Sequence, residues 1–158
     1  MNKTKIVLIF LLLTLVFVNG NLFSQFLFDG RVIKIQDGDT LTVRSGEVNF
    51  RVRLHGIDAP ERGQPYSVKA KELLEVLVAG KNITIKVMDV DRYGRLIGLI
   101  FMDDLLVNLE LLKEGLAWHY FEYDDTPEFA QAEEEARRYK LGLWIEPNPV
   151  APWDWRKK

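Results

Sequence analysis

Between Val48 and Leu54 the chain alternates without a break. Val48, Phe50, Val52 and Leu54 share one side of an extended backbone, and Asn49, Arg51 and Arg53 share the other. A strict period of two fits a strand with one buried face; it does not fit the 3.6-residue period of an amphipathic helix. The apolar set is expected to face a core, with the two arginines displayed outside it. Shorter runs of strand character surround this one. Residues 31–36 form an apolar run that stops at Asp37-Gly38, a pair suited to a tight turn. In residues 40–44, Leu41 and Val43 alternate with polar neighbours before Ser45-Gly46 turns the chain. Ile83, Ile85 and Val87 share a face of residues 82–88, and residues 96–101 give another strand. Met102-Asp103-Asp104 then turns the chain into residues 105–107.

Helical spacing interrupts this pattern. In residues 66–79, Ala70, Leu73, Leu74 and Leu77 recur at i, i+3, i+4 and i+7, and Gly80 suits the position just past a helix end. A short helix is predicted over 109–114, with Asn108 as N-cap and Gly115 as its stop. In the last helix Thr126 is the expected cap, with Pro127 at the first turn and Gly142 at the end. Its buried stripe is predicted to be Phe129, Ala132, Ala136 and Tyr139. Residues 143–158 are rich in Pro and Trp and are expected to lie extended over the domain. Three strands, a helix, two strands and further helices predict an α+β fold that is mainly β barrel. The specific expectation is a five-stranded Greek-key barrel of the OB type with three α-helices.

The first twenty residues stand apart. Lys3 and Lys5 precede an apolar run over residues 6–18 that only Thr14 interrupts, and Val18 and Gly20 are small residues suited to cleavage after Gly20. This is the pattern of a secretory signal peptide. The run is short for a membrane span, so an uncleaved anchor is the lesser alternative. The division expected is 1–20 as signal peptide or anchor and 21–158 as one domain, secreted or in the cell envelope, touching a membrane only through the signal segment. Cysteine is absent, so disulfides and thiol chemistry are excluded. The net charge is −2, and removing the signal takes away two lysines and no acid. Bulk positive charge therefore cannot be what holds a nucleic acid here; local arginines and a metal would have to do so.

Three clusters could carry chemistry: Asp37-Gly38-Asp39-Thr40, Asp58-Ala59-Pro60-Glu61 and Arg92-Tyr93-Gly94-Arg95. Each has a plain reading alone, as a hairpin turn, a solvated surface turn and a surface ion pair. Together they supply what phosphodiester hydrolysis needs. Carboxylates from two loops can hold a hard divalent ion. A carboxylate can take the proton of the attacking water. Arginines can stabilise charge on the phosphorus, in a bidentate geometry that lysine lacks. Asp39, Arg53, Asp58, Glu61 and Arg95 are of the right types.

In these motifs the chain resembles the thermonuclease, or staphylococcal nuclease-like, family. The resemblance runs through Asp37-Gly38-Asp39-Thr40, Arg53, Ile57-Asp58-Ala59-Pro60-Glu61 and Asp91-Arg92-Tyr93-Gly94-Arg95. It continues in Glu114-Gly115-Leu116-Ala117, Gly142-Leu143-Trp144 and a tail, Pro149 to Arg156, like that of many exported bacterial relatives. It covers about residues 29–156. It implies an OB-fold barrel that binds one Ca²⁺ and cuts DNA and RNA to 3′-phosphates. It implies Asp39, Asp58 and the Ala59 backbone carbonyl as calcium ligands, and Glu61 as general base or water-orienting group. Arg53 and Arg95 would clamp the scissile phosphate, Arg92 and Tyr93 would meet a terminal phosphate, and Phe121 and Tyr123 would stack near the base. Stacking of this kind tolerates any base. The substrates implied are DNA and RNA, preferably single-stranded, acted on by a monomer without an obligate protein partner.

Two departures are visible. Ala59 stands where the best-known member has Thr, which matters little if only its carbonyl ligates. Phe121 stands where a Tyr is expected and cannot donate a hydrogen bond. His55 and His119 are read as structural, since the carboxylate–arginine set is complete without them. Trp118, Trp144, Trp153 and Trp155 are assigned mostly to core packing and tail docking, and Glu133-Glu134-Glu135 to a solvated helix face. The competing readings are a non-catalytic OB-fold nucleic-acid-binding module and a calcium-stabilised structural protein. The second leaves Arg53 and Arg95 without a task.

Overall fold

The computed structural model describes residues 26–157. The signal-peptide reading of residues 1–20 lies outside the described residues. Eight strands are described: β1 Phe26–Ile35, β2 Thr40–Ser45, β3 Val48–Leu54, β4 Ile57–Asp58, β5 Asn82–Val90, β6 Leu96–Met102, β7 Leu105–Leu106 and β8 Trp118–His119. The helices are α1 Ser67–Val78, α2 Val107–Lys113, α3 Pro127–Arg138 and the short α4 Pro152–Trp155, with a 3₁₀ turn at Gly142–Ile145.

Five strands close into a barrel in the order β3-β2-β1-β5-β6. All neighbours are antiparallel except the closing pair, where β3 runs parallel to β6 with Val52 opposite Leu96 and Arg53 opposite Ile97. This is the OB-type barrel expected, with the three expected helices and one further short turn of helix. The alternation seen in the sequence decides its inside: Leu41, Val43, Val52, Leu54, Ile83, Ile85, Val87 and Ile100 fill the barrel. Helix α1 lays Ala70, Leu74 and Val78 over this core, α2 adds Val107, Leu111 and Leu112, and α3 adds Phe129 and Ala132. Burying such side chains contributes roughly 1.5–3 kcal/mol each before entropy is counted.

Several boundaries differ from expectation, each for a tertiary reason. Strand β1 starts at Phe26, five residues before the predicted run, because residues 26–31 pair with β5 from Val87 to Asn82. Tyr139 ends α3 and is 64% exposed, so the stripe along that helix stops at Ala136. Thr126 does precede α3 but makes no side-chain cap; its N–H and hydroxyl both donate to Asp124. The tail is not simply extended, since it holds the 3₁₀ turn and α4.

Asn108 is not an N-cap. It lies inside α2, fully buried. Its Oδ1 accepts the Ile100 N–H (2.9 Å), and its amide donates to the carbonyls of His55 (2.9 Å) and Gly98 (3.2 Å). It thereby ties α2 to the residue that follows β3 and to the middle of β6, where the barrel closes. Asn108→Ala is expected to lower stability by about 2–3 kcal/mol, because a buried N–H loses its only acceptor side chain and two carbonyls lose a donor. Urea unfolding should show the midpoint falling with the slope unchanged.

Candidate active site

The site begins at the turn between β1 and β2. The Asp39 amide donates to Asp37 Oδ1 (3.2 Å), which folds the turn back on itself. Gly38 is needed there for space rather than for a positive φ. A Cβ on it would come within 2.7 Å of the Ala70 Cβ and 2.8 Å of the Ala59 Cβ. The turn is thus wedged against α1 and the loop after β4, which aims Asp39 inward. Asp39 is 3% exposed.

Arg53 comes from β3, whose register places it opposite Thr40, the residue after Asp39. Its Nη1 donates to Asp39 Oδ1 (2.7 Å) and its Nη2 to Asp58 Oδ1 (2.6 Å). Asp58 is wholly buried, on β4, where it pairs with Trp118 of β8. Asp39 also accepts the Thr40 hydroxyl at Oδ1 (3.0 Å) and the Ala59 N–H at Oδ2 (2.9 Å). Two carboxylates, one from the β1–β2 turn and one from β4, thus converge on one guanidinium. Burial pushes the Asp39 carboxyl above its ordinary range, with Asp37 adding to this, against the pull of Arg53, the Ala59 N–H and the Thr40 hydroxyl. Burial works against the charge on Arg53, but Asp39 and Asp58 outweigh it and hold the guanidinium more firmly protonated than usual.

Arg53 therefore points away from the barrel interior, as its alternation suggested, but it is not displayed to solvent: its side chain is 18% exposed. Arg51, two residues earlier on the same face, is exposed. The difference is that the β1–β2 turn and β4 cover only the Arg53 end of that face.

Glu61 sits at the rim, its side chain 38% exposed. Its N–H donates to Gln64 Oε1 (2.9 Å), and its carbonyl accepts the Gln64 N–H (2.8 Å). Its carboxylate pairs with Arg156 from the C-terminal tail, Nη1 to Oε1 at 2.5 Å. The same guanidinium grips Asp58, Nη2 to Oδ2 at 2.8 Å and Nη1 to Oδ1 at 3.2 Å. Sequence reasoning placed Arg156 at the end of the tail motif but gave it no role at the site, since 95 residues separate it from Glu61.

The structure thus brings Asp39, Arg53, Asp58, Ala59 and Glu61 together. Arg95 is held apart by its own loop. Asp91 Oδ1 accepts the N–H groups of Tyr93 and Arg95 (both 2.9 Å), and Asp91 Oδ2 accepts Arg95 Nε (2.6 Å). Arg92 and Arg95 lie over the Tyr93 ring, 4.9 and 5.7 Å from its centre. Register still makes Arg95 a neighbour. It precedes Leu96, which faces Val52 in the parallel pair, so its position lies on the arginine side of β3. Phe121 and Tyr123 are 70% and 69% exposed, and Tyr123 leans on Tyr120 at 4.8 Å. His55 and His119 both point Nε2 at Asp124, each 3.1 Å away, and join β3, β8 and the start of α3. That is a structural clasp.

Among the described residues, no three His, Cys, Asp or Glu side chains come together closely enough to hold a metal by themselves. The donors that do converge, Asp39 and Asp58, are hard carboxylate oxygens set beside the Ala59 backbone. Such a set fits a calcium-like ion that completes its shell with a carbonyl and solvent; it does not fit a soft metal.

Comparison with known proteins agrees with this geometry. The family model described as staphylococcal nuclease homologue matches residues 51–146. An uncharacterized endonuclease of Escherichia coli is 40% identical over 130 residues, which is 82% of this chain and 85% of that protein. An uncharacterized endonuclease of Haemophilus influenzae is 41% identical over 129 residues, 81% of this chain and 72% of the relative. A probable staphylococcal-like nuclease of Oryza sativa subsp. japonica is 47% identical over 108 residues, 68% of this chain but 33% of its own length. The chain spans about a third of such plant relatives. With the closed barrel and the converging carboxylates in place, this match shows that the chain belongs to the staphylococcal nuclease homologue family.

Proposed function

We propose that this protein is a calcium-dependent nuclease that hydrolyses phosphodiester bonds of DNA and RNA, with little sequence specificity, and leaves 3′-phosphate ends. One observation carries this reading: the Arg53 guanidinium is fixed between two buried carboxylates, one from the β1–β2 turn and one from β4, with the Glu61 carboxylate at the rim beside them. A guanidinium has five N–H donors, and the two carboxylates leave donors for phosphate oxygens. Its orientation is set before substrate arrives, so no reorganisation is needed as charge builds on the phosphoryl group. Glu61 is exposed enough to meet a water and to take its proton. Arg95, once turned from Asp91, would add a second fork to the phosphate. Arg92 and Tyr93 lie on the same loop, suited to a neighbouring phosphate. The exposed rings of Phe121 and Tyr123 suit stacking on bases without reading them.

Asp39, Asp58 and the Ala59 carbonyl would hold the calcium ion. When bound, that ion would polarise the phosphoryl oxygen and help place the attacking water. Single strands are the favoured substrate, because a base must splay out to stack on an exposed ring. A monomer suffices for all these roles. The pattern of residues 1–20 supports export, so we place the protein outside the cytoplasm, secreted or in the cell envelope.

The test is cleavage of plasmid and of single-stranded DNA with calcium, with chelator, and with calcium restored. Calcium-dependent cutting is expected to exceed the chelated sample by a thousandfold or more, on the order of what a preorganised charge-stabilising centre supplies. A folded protein that binds single strands yet cuts in no divalent metal would instead be a binding module.

A further inference from the structure

We propose that Arg156 is a positioning residue of this site, holding the Asp58 and Glu61 carboxylates in their working arrangement, so that the C-terminal tail is part of the catalytic machinery. The inference rests on the nuclease reading above and deepens it. The family match ends at residue 146, so Arg156 lies beyond the matched stretch.

The first argument is charge. Asp39 and Asp58 are both buried, and both contact Arg53. One guanidinium balances one carboxylate; with no metal ion bound, the second buried carboxylate needs a second cation. Arg156 supplies it, gripping both oxygens of Asp58.

The second argument is orientation. Glu61 lies at the rim, where a free carboxylate would sample several rotamers. The tail restrains it at both ends. Gln64 accepts the Glu61 N–H and donates from Nε2 to the Val150 carbonyl (2.6 Å), while Arg156 holds the Glu61 carboxylate.

The third argument is that the tail is seated by contacts of its own. Trp153 stacks on Tyr120 (5.1 Å, 13° between planes) and packs edge-on against Trp118 (5.6 Å). Ala151 and Pro152 are buried, and the Arg156 N–H closes α4 onto the Pro152 carbonyl (3.0 Å). Arg156 is therefore presented from a fixed backbone.

The experiment compares the full chain with Arg156→Ala and Arg156→Lys, reading kcat and KM for single-stranded DNA with calcium. Hydrogen exchange at the Glu61 amide is read in the metal-free proteins, with Trp fluorescence as the check that the tail stays seated. Arg156→Ala should lower kcat about tenfold to a hundredfold with KM within about threefold, the scale of a misplaced catalytic group. It should also speed exchange at Glu61. Arg156→Lys should recover part of kcat, since an ammonium restores the charge but not the bidentate grip. A kcat within twofold of the parent in Arg156→Ala overturns the proposal. So does a rise, which would mean that the guanidinium obstructs the site. If the parent itself does not cut, the nuclease reading has failed, and exchange at Glu61 decides: no change on losing Arg156 overturns the positioning role.

Discussion

Arg53→Ala is expected to reduce kcat/KM by about a thousandfold or more and to lower stability by about 3 kcal/mol, the scales for losing a charge-stabilising donor and for breaking a buried ion pair. Both effects have one cause. The guanidinium bridges Asp39 and Asp58, which are 3% and 0% exposed. Without it, two desolvated carboxylates face each other across the space it filled. Burial already raises the Asp39 carboxyl, and Arg53 is the largest opposing influence. Arg53→Lys separates the two effects: it keeps one positive charge but cannot reach both carboxylates in a planar fork. Much of the stability should therefore return while most of the activity does not. Cleavage kinetics and urea unfolding on the same samples check this. An Arg53→Ala protein as stable as the parent would mean that the carboxylates are not buried as described.

The second large effect is expected without any loss of stability. Glu61→Gln should lower kcat by about 10²- to 10⁴-fold, the usual weight of a general base. Its folding free energy should stay within about 0.5 kcal/mol of the parent, as for most surface changes. The carboxylate is 38% exposed, and its ion pair with Arg156 is open to solvent on both sides, so little folding energy resides there. The glutamine retains an oxygen that can accept from Arg156 while losing the ability to take a proton from water. A stopped kcat with an unmoved unfolding midpoint would assign Glu61 to chemistry. A kcat within a few-fold of the parent would remove it from the role of base.

Set side by side, the two variants divide the site into a buried electrostatic frame and an exposed reacting edge. The frame is Asp39, Arg53 and Asp58, each fixed by a different element: the β1–β2 turn, β3 and β4. The edge is Glu61, steadied through Gln64 and Arg156. Arg95 belongs to neither in this structure, because Asp91 in its own loop holds its Nε. Its strand neighbours Arg53, so a turn of the side chain rather than a rearrangement of the barrel would be needed to bring it to a phosphate.

Much of this was legible in residue order. Alternation identified Val52, Leu54, Ile83, Ile85 and Val87 as core positions, because a strand offers side chains only two faces, while Phe50 packs half-buried at the core's edge and Val48 lies beyond it. Of the helical stripe Ala70, Leu73, Leu74 and Leu77, Ala70 and Leu74 are buried and Leu73 and Leu77 pack half-buried against the core, while the buried Val78 lay outside the stripe. What failed were judgements about what covers an outward face. Arg53 read as displayed, yet the turn at Asp37–Asp39 and strand β4 fold over it. Asn108 read as a cap from its residue type, yet it is buried inside α2 and bonds across to β3 and β6. Tyr139 extended a helical stripe by spacing, yet the helix ends there and the core does not reach it. Period reports direction from a local axis. It carries no information about which distant segment arrives on that side.

The sequence by itself determined the alternating core, the order of strands and helices, and the residue types of the site, since each depends on local backbone geometry and side-chain chemistry. Only the tertiary structure decided that Asp39 and Asp58 share one guanidinium, that Arg95 turns to Asp91, and that the tail brings Arg156 to Asp58 and Glu61. Those contacts join residues up to 98 positions apart. They exist because barrel closure and tail docking bury apolar surface, and the charged groups must then find partners in whatever space that leaves.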